Sequence, residues 1–366
     1  MTALPVLYPF IEDAFCETTA GAVAEIKRLA AARTADPLIV VDKRGRISDL
    51  LKKEGLPFTE LPMKRPVHPR TFFISVFFRL FSSSLPLFVF LKQNPVALVH
   101  FHDLTSALTW ASAIKMYRIP YIVSLPAYEK TSRYGVITLK DAGAVTCPSQ
   151  TIKDFMRPWL RERVKIVPTA VRVPFINEKQ AAKMRRDFLK NEKLSETDLI
   201  FAAETGDNKQ PLAETARKIS ETTGKKTVVF AAKSKEPFQD SRLRFVEDGE
   251  LEDILPFCHA FLAMKPLCQN SPLSYRAMLS GLSVFAPAEG VYPEFILENE
   301  TGFLMRTFDP EEQAAFIAQK AGDPSLLSET GARAKESMEL MFKNTESLWK
   351  NLYAGLIARR RGFFKK

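Results

Sequence analysis

Short, continuously apolar runs alternate with helix-length amphipathic stretches from one end of the chain to the other. The first series reads VLYPF (6–10), LIVV (38–41), ALVHFH (97–102), YIVSL (121–125), AVTCP (144–148) and KIVP (165–168). The second reads LIFAAE (199–204), TVVFAA (227–232), LRFVE (243–247), AFLAM (260–264), SVFAP (283–287) and GFLM (302–305). Runs rich in β-branched and aromatic residues, without polar alternation, predict strands buried on both faces. Helical periods lie between them. The segment 18–32 (TTAGAVAEIKRLAAA) places Val23, Ile26 and Ala30 on one side, after a Thr cap. Strand–helix alternation of this kind predicts parallel sheets joined by crossover helices.

The two series part near residues 169–198, where a charged helical segment, QAAKMRRDFLKNEK (180–193), intervenes. The expected fold class is α/β, with two doubly wound, Rossmann-like domains facing a cleft. The first covers residues 1–172 and the second 173–344, and the closing helix 345–366 packs back on the first. Ligands of open α/β sheets bind outside the carboxyl ends of the strands, so the site is expected there.

At 366 residues the chain has material for two such cores. The four cysteines, Cys16, Cys147, Cys258 and Cys268, show no metal-ligand spacing. Reduced thiols and a cytoplasmic location follow, with no metal and no cofactor expected. The start, MTALPVLYPF, lacks the basic head and long apolar core of a signal peptide.

Charge changes the picture more. Residues 1–172 carry 24 Lys+Arg against 14 Asp+Glu, which accounts for the whole net charge of +10. The tail RRRGFFKK (359–366) adds five positive charges and no negative one. A basic first half points to an anionic partner. No nucleic-acid motif accompanies it, so an anionic membrane surface is the expected partner rather than nucleic acid. The segment 71–91 (TFFISVFFRLFSSSLPLFVFL) is rich in phenylalanine but broken by Arg79, three serines and Pro86. It reads as one or two interfacial helices, or as a buried crossover helix.

Candidate chemistry clusters in the second half. Ser271 and Pro272 have the character of an N-cap and first helical residue, with Gly281 as the stop. A helix start beside a strand end offers free N–H groups and a favourable dipole to an anion. The stretch 272–305, PLSYRAMLSGLSVFAPAEGVYPEFILENETGFLM, resembles the donor-binding region of GT-B glycosyltransferases of retaining family 4. RAMLSGLSV, EGVYPE and ENETGFLM stand for that family's E-A-M-A-x-G-x-P-V, G-G-x-x-E and G-x-T-G-F-L segments. VHFHD (99–103), AVTCPS (144–149) and KIVPTAVRV (165–173) resemble its upstream segments, so the likeness runs along nearly the whole chain.

The resemblance implies a nucleotide-sugar donor as substrate, transfer with retention and no essential metal; the basic, phenylalanine-rich surface suits a lipid-linked or polysaccharide acceptor at the inner membrane face. The resemblance also implies donor contacts from Lys209, Ser271, Arg276, Gly290 and Glu294, with Cys268 near the donor sugar. His102 and Asp103 are the expected acceptor-side catalytic residues, and a hydrogen-bonded structural histidine is the plainer reading of His102. Departures from the pattern are specific. The family's two glutamates are replaced by Cys268 and Arg276, its phosphate-binding Arg by Glu204, and a histidine after the fourth or fifth strand by Pro126. These losses keep open an alternative: a catalytically silent GT-B protein that binds a partner glycosyltransferase or a glycan.

Overall fold

The computed structural model describes residues 3–12, 17–63, 85–126, 133–171, 178–204, 210–232, 239–246, 250–264 and 272–363. Residues 1–171 together with 342–366 form one compact unit, and residues 172–341 form the other.

The first unit holds seven strands: β1 (Leu4–Phe10), β2 (Ala35–Val41), β3 (Phe58–Glu60), β4 (Leu98–Phe101), β5 (Tyr121–Ser124), β6 (Ala144–Cys147) and β7 (Val164–Ile166). Its helices are α1 (Glu17–Ala31), α2 (Arg46–Lys53), α3 (helical over 85–93), α4 (Leu104–Met116), α5 (Arg133–Asp141), α6 (Gln150–Asp154) and α7 (Pro158–Arg161). The strands are all parallel, in the order β3-β2-β1-β4-β5-β6-β7. The chain therefore reverses its direction of winding between β1 and β4, the switch point where doubly wound sheets open to ligands.

Side-chain parity sorts this sheet into two cores. Leu7, Val99, Phe101, Val123 and Val145 pack with Leu87 and Phe90 of α3, Trp110 of α4 and Leu139 of α5. Val6, Tyr8, Phe10, Leu98 and Ile122 point the other way, toward Val23 and Ile26 of α1. That second core is completed by Trp349, Leu352, Tyr353 and Leu356 of the closing helix α13 (Pro324–Phe363).

The second unit repeats the plan with β8 (Leu199–Glu204), β9 (Thr227–Ala232), β10 (Leu243–Val246), β11 (Ala260–Ala263), β12 (Ser283–Pro287) and β13 (Phe303–Met305). They are parallel in the order β10-β9-β8-β11-β12-β13. Helices α8 (Glu178–Asn191), α9 (Gln210–Thr223), α10 (Glu250–Ile254), α11 (Pro272–Leu279) and α12 (Pro310–Ala321) flank them. Phe201, Val229, Leu262 and Phe285 meet Leu212 and Ile219 of α9 and Ile317 of α12 on one face.

All twelve expected strands are present; β1 and β2 begin two and three residues earlier than expected, and most of the others are a residue or two shorter. The thirteenth, β3, was not foreseen. It is a three-residue edge strand, Phe-Thr-Glu, largely exposed and without an apolar run to announce it. Of the phenylalanine-rich segment 71–91, residues 71–84 lie outside the described residues. The rest belongs to α3, which buries Leu87, Phe90 and Leu91 and exposes Leu85 and Val89, so this portion is a one-sided crossover helix. Among the described residues no helix is long and apolar enough to cross a membrane. Cys147 and Cys258 are free, buried thiols, and burial pushes the Cys258 thiol up.

Two glycines of α13 differ sharply in their surroundings. A Cβ on Gly331 would lie 2.0 Å from the carbonyl oxygen of Gly281, whereas one on Gly355 would meet nothing within 4 Å. Gly331→Ala is therefore expected to destabilise by about 1–3 kcal/mol through overpacking against backbone. Gly355→Ala is expected to stabilise by about 0.5–1 kcal/mol, because alanine loses less backbone entropy in a helix. Urea unfolding of both variants checks the pair, and equal shifts would refute the contact.

His259 precedes β11, and its Nδ1 accepts the Ile200 N–H at 3.0 Å. Burial holds its imidazole below the ordinary value of 6.5. The unfolded chain therefore takes up this proton first as pH falls, and folding stability drops below about pH 6.5. His259→Gln is expected to flatten the fall in urea midpoint between about pH 6.5 and 5. Identical slopes for wild type and variant would overturn this.

Candidate functional site

β4 carries His100, and His102 follows it at a position of equal parity, so both side chains point to the face covered by α1 and α13. His100 is fully buried. Its Nδ1 is hydrogen-bonded to the Tyr353 hydroxyl at 2.8 Å and its Nε2 to the Ser124 hydroxyl at 2.8 Å. Tyr353 also meets the Tyr8 hydroxyl at 3.0 Å, and Ser124 meets the Thr146 hydroxyl at 2.8 Å. A polar chain thus runs from β1 through α13 to β4, β5 and β6. Burial pushes both tyrosines upward and holds His100 well below the ordinary imidazole range.

His102 follows β4 at its carboxyl end. Its ring stacks against Phe10 at 5.8 Å and Tyr8 at 6.1 Å, and lies 4.2 Å from His100. Nε2 of His102 is buried without a hydrogen-bond partner, and burial lowers the ring to about 3, so it is neutral near pH 7. Beside it stands Glu25, which α1 sends inward from its buried face and which is 5% exposed. Oε2 of Glu25 accepts the indole N–H of Trp349 at 2.8 Å, while Oε1 is buried without a partner. Burial raises this carboxyl to about 8, against the opposing pull of the Trp349 hydrogen bond and Arg28.

These groups border a cavity of about 30 Å³ at the carboxyl ends of β4 to β7. Glu25, His102, Ser124, Thr146, Thr169 and Trp349 supply its polar groups, and Pro126 closes one side. Its polar lining offers hydrogen bonds to a water or a single hydroxyl, about the size it holds. Among the described residues the set able to hold a metal is Glu25, His100 and His102.

Asp103 does not face this cavity chemistry as a free base. It is the N-cap of α4, where its carboxylate accepts the Ser106 N–H and hydroxyl, both at 2.6 Å. Two adjacent residues of the sequence pattern thus part company: one borders a cavity and the other starts a helix.

In the second unit Lys209, Cys268 and Ser271 lie outside the described residues. Arg276 sits in α11, is 6% exposed, and forms an ion pair with Glu252 of α10. Gly290 takes φ 68°, a left-handed turn that glycine adopts without strain, just after β12. It leads into the 3₁₀ turn Tyr292–Glu294, on which Glu294 is exposed. Tyr275 of α11 packs edge-on against Phe295 at 4.6 Å, fixing that turn to the helix. Gly290 and Glu294 thus follow the carboxyl end of β12, and Arg276 lies in the last turn of α11.

Sequence reasoning missed Glu25, Trp349, Tyr353 and Tyr8. A lone glutamate within AVAEIKRL reads as the solvated side of an amphipathic helix, and no local signal separates it from one. The aromatic pair Trp349 and Tyr353, spaced i, i+4, was the one available hint.

No protein-family model matches the chain, and no curated protein matches its sequence. Solved structures do. HepE from Anabaena in complex with UDP superposes with a TM-score of 0.70 at 13% identity, covering 96% of this chain and 100% of that one. The same protein is also known in complex with UDP-glucose. A glycosyltransferase from Rickettsia africae ESF-5 gives a TM-score of 0.72 at 14% identity, covering 96% and 99%. The sucrose-phosphate synthase of Thermosynechococcus elongatus gives 0.68 at 14% identity, covering 97% and 100%. Likeness at this identity is likeness of fold: two parallel-stranded α/β sheets with flanking helices, as in GT-B glycosyltransferases.

Proposed function

We propose that this protein is a glycosyltransferase that moves a sugar from a nucleotide-sugar donor to a lipid-linked or polysaccharide acceptor at the cytoplasmic face of a membrane. The observation that carries this reading is the likeness of both sheets, over 96% of the chain, to a fold whose solved complexes hold UDP. The donor side is assigned to the second unit. Lys209 and Arg276 would oppose the diphosphate charge as it develops on the leaving group, which is where fixed positive partners lower a barrier most. Ser271 would bring the start of α11 to the phosphates, Gly290 would let backbone approach the sugar, and Glu294 would accept its hydroxyls. Cys268 would lie near the same sugar. His102 is assigned to the acceptor side as a neutral hydrogen-bonding ring, and Asp103 positions it by anchoring α4. Retention of configuration comes from the family resemblance.

Charge supports membrane attachment. The first 172 residues hold the whole excess of +10. On α3, Leu85 is 55% and Val89 48% exposed, with Lys92 alongside. An apolar edge flanked by bases suits an anionic lipid surface.

The ion pair of buried Arg276 with the partly exposed Glu252 favours a second reading, because a guanidinium already matched to a carboxylate has less charge to offer a phosphate. On that reading the protein is catalytically silent and binds a partner glycosyltransferase or a glycan.

Calorimetric titration with UDP-, GDP-, ADP- and CMP-sugars separates the two. The expected result is micromolar binding of one donor, weakened at least about tenfold by Lys209→Ala and by Arg276→Ala, a loss of about 1.4 kcal/mol each. The lysine variant guards against a folding defect in the arginine one. No binding of any donor by folded wild-type protein would overturn the enzyme reading.

A further inference from the structure

The buried Oε1 of Glu25 and Nε2 of His102 present a problem that donor and acceptor binding leave unsolved. Both residues are packed into the first unit, and each leaves that one buried polar atom without a hydrogen-bond partner. An unsatisfied buried acceptor is costly, and two facing the same small cavity call for one shared occupant. A third donor lies beside them. One side-chain ligand atom each of Glu25, His100 and His102 falls within 4.8 Å of the others.

We infer that Glu25, His100 and His102 bind one divalent transition-metal ion of the zinc class, with water in the remaining position. Two imidazoles and a carboxylate are the donor set such an ion takes, and His-x-His on a strand aims both rings the same way. Ligand bonds of about 2.0–2.1 Å need donor atoms roughly 3.4 Å apart, so the set closes by side-chain shifts of about an ångström.

Outer contacts favour an ion over a water. Metal-bound imidazoles and carboxylates are steadied from behind by a second hydrogen bond. Here Tyr353 holds Nδ1 of His100 at 2.8 Å, and Nε2, bonded at 2.8 Å to the hydroxyl of the cavity-lining Ser124, is the nitrogen the ion would take. Trp349 holds Oε2 of Glu25 at 2.8 Å, leaving Oε1 toward the cavity. Ser124 keeps Thr146 as a partner at 2.8 Å when it releases His100. Both steadying groups come from α13, so the ion would fasten the last helix to the switch point of the first sheet. Its role is structural and stands apart from donor binding in the second unit.

The test uses the full-length chain, stripped with a chelator and titrated with Co²⁺ and then Zn²⁺. One ion per chain is expected, with visible cobalt bands that Zn²⁺ bleaches and a rise in the thermal midpoint of the loaded protein. Glu25→Gln and His102→Gln are expected to weaken uptake at least tenfold, while His259→Gln in the other unit leaves it unchanged. X-ray absorption of the zinc-loaded wild type reads the ligands without any variant, and imidazole scattering from two histidines is expected. Failure of the wild type to take up either ion, a spectrum without imidazole, or uptake unmoved in both variants would overturn the site. Donor titration of the same stripped protein reports on the transfer reading independently.

Discussion

The hydroxyl of Tyr353 pins the first unit together. It reaches Tyr8 on β1 and His100 on β4, the two neighbouring strands between which the winding reverses, at 3.0 and 2.8 Å. A sheet of this topology separates its crossover helices at that point, and the separation has to be filled. Here it is filled by aromatic rings whose polar ends find one another, with Trp349 and Glu25 as the adjoining pair. Such networks are worth keeping only when nearly every member is satisfied, since low dielectric strengthens the bonds made and penalises those left open. The two open atoms, on Glu25 and His102, therefore mark where the filling gives way to a binding space.

The fold was legible because it is written in burial. Strands covered on both faces must be apolar throughout, and twelve of them announced themselves by runs such as LIFAAE and TVVFAA. The edge strand β3 did not, because a three-residue edge that packs only Phe58 against the core needs no such run. The site was only partly legible. His102 stood out by its place at a strand end, but Asp103 beside it carries the same letters whether it acts as a base or as a cap. Its hydrogen bonds to Ser106 show the cap, and Ser106 is an ordinary helix residue in the sequence. Glu25 was illegible because its partner Trp349 lies 324 residues away, beyond any local pattern.

The second unit joins a turn and a helix through aromatic packing. Glycine supplies the left-handed conformation at position 290, and Tyr275 of α11 packs against Phe295 of the turn that follows. On the same helix Arg276 is buried and matched by a carboxylate from α10. Burying a guanidinium is tolerable only with such a match, so Glu252 and Arg276 form a coupled pair rather than two independent residues.

A last consequence concerns the order in which the molecule is made. Tyr8 leaves the ribosome 345 residues before Tyr353. The unit spanning 172–341 has all its own residues before the final helix is out. The N-terminal unit, although synthesised first, must hold the part of one sheet face that α1 and α2 leave open until Trp349, Leu352, Tyr353 and Leu356 arrive. During elongation that part is exposed apolar surface, the kind that chaperones cover and that aggregates when they do not. The beginning of this protein is thus the last part of it to be finished.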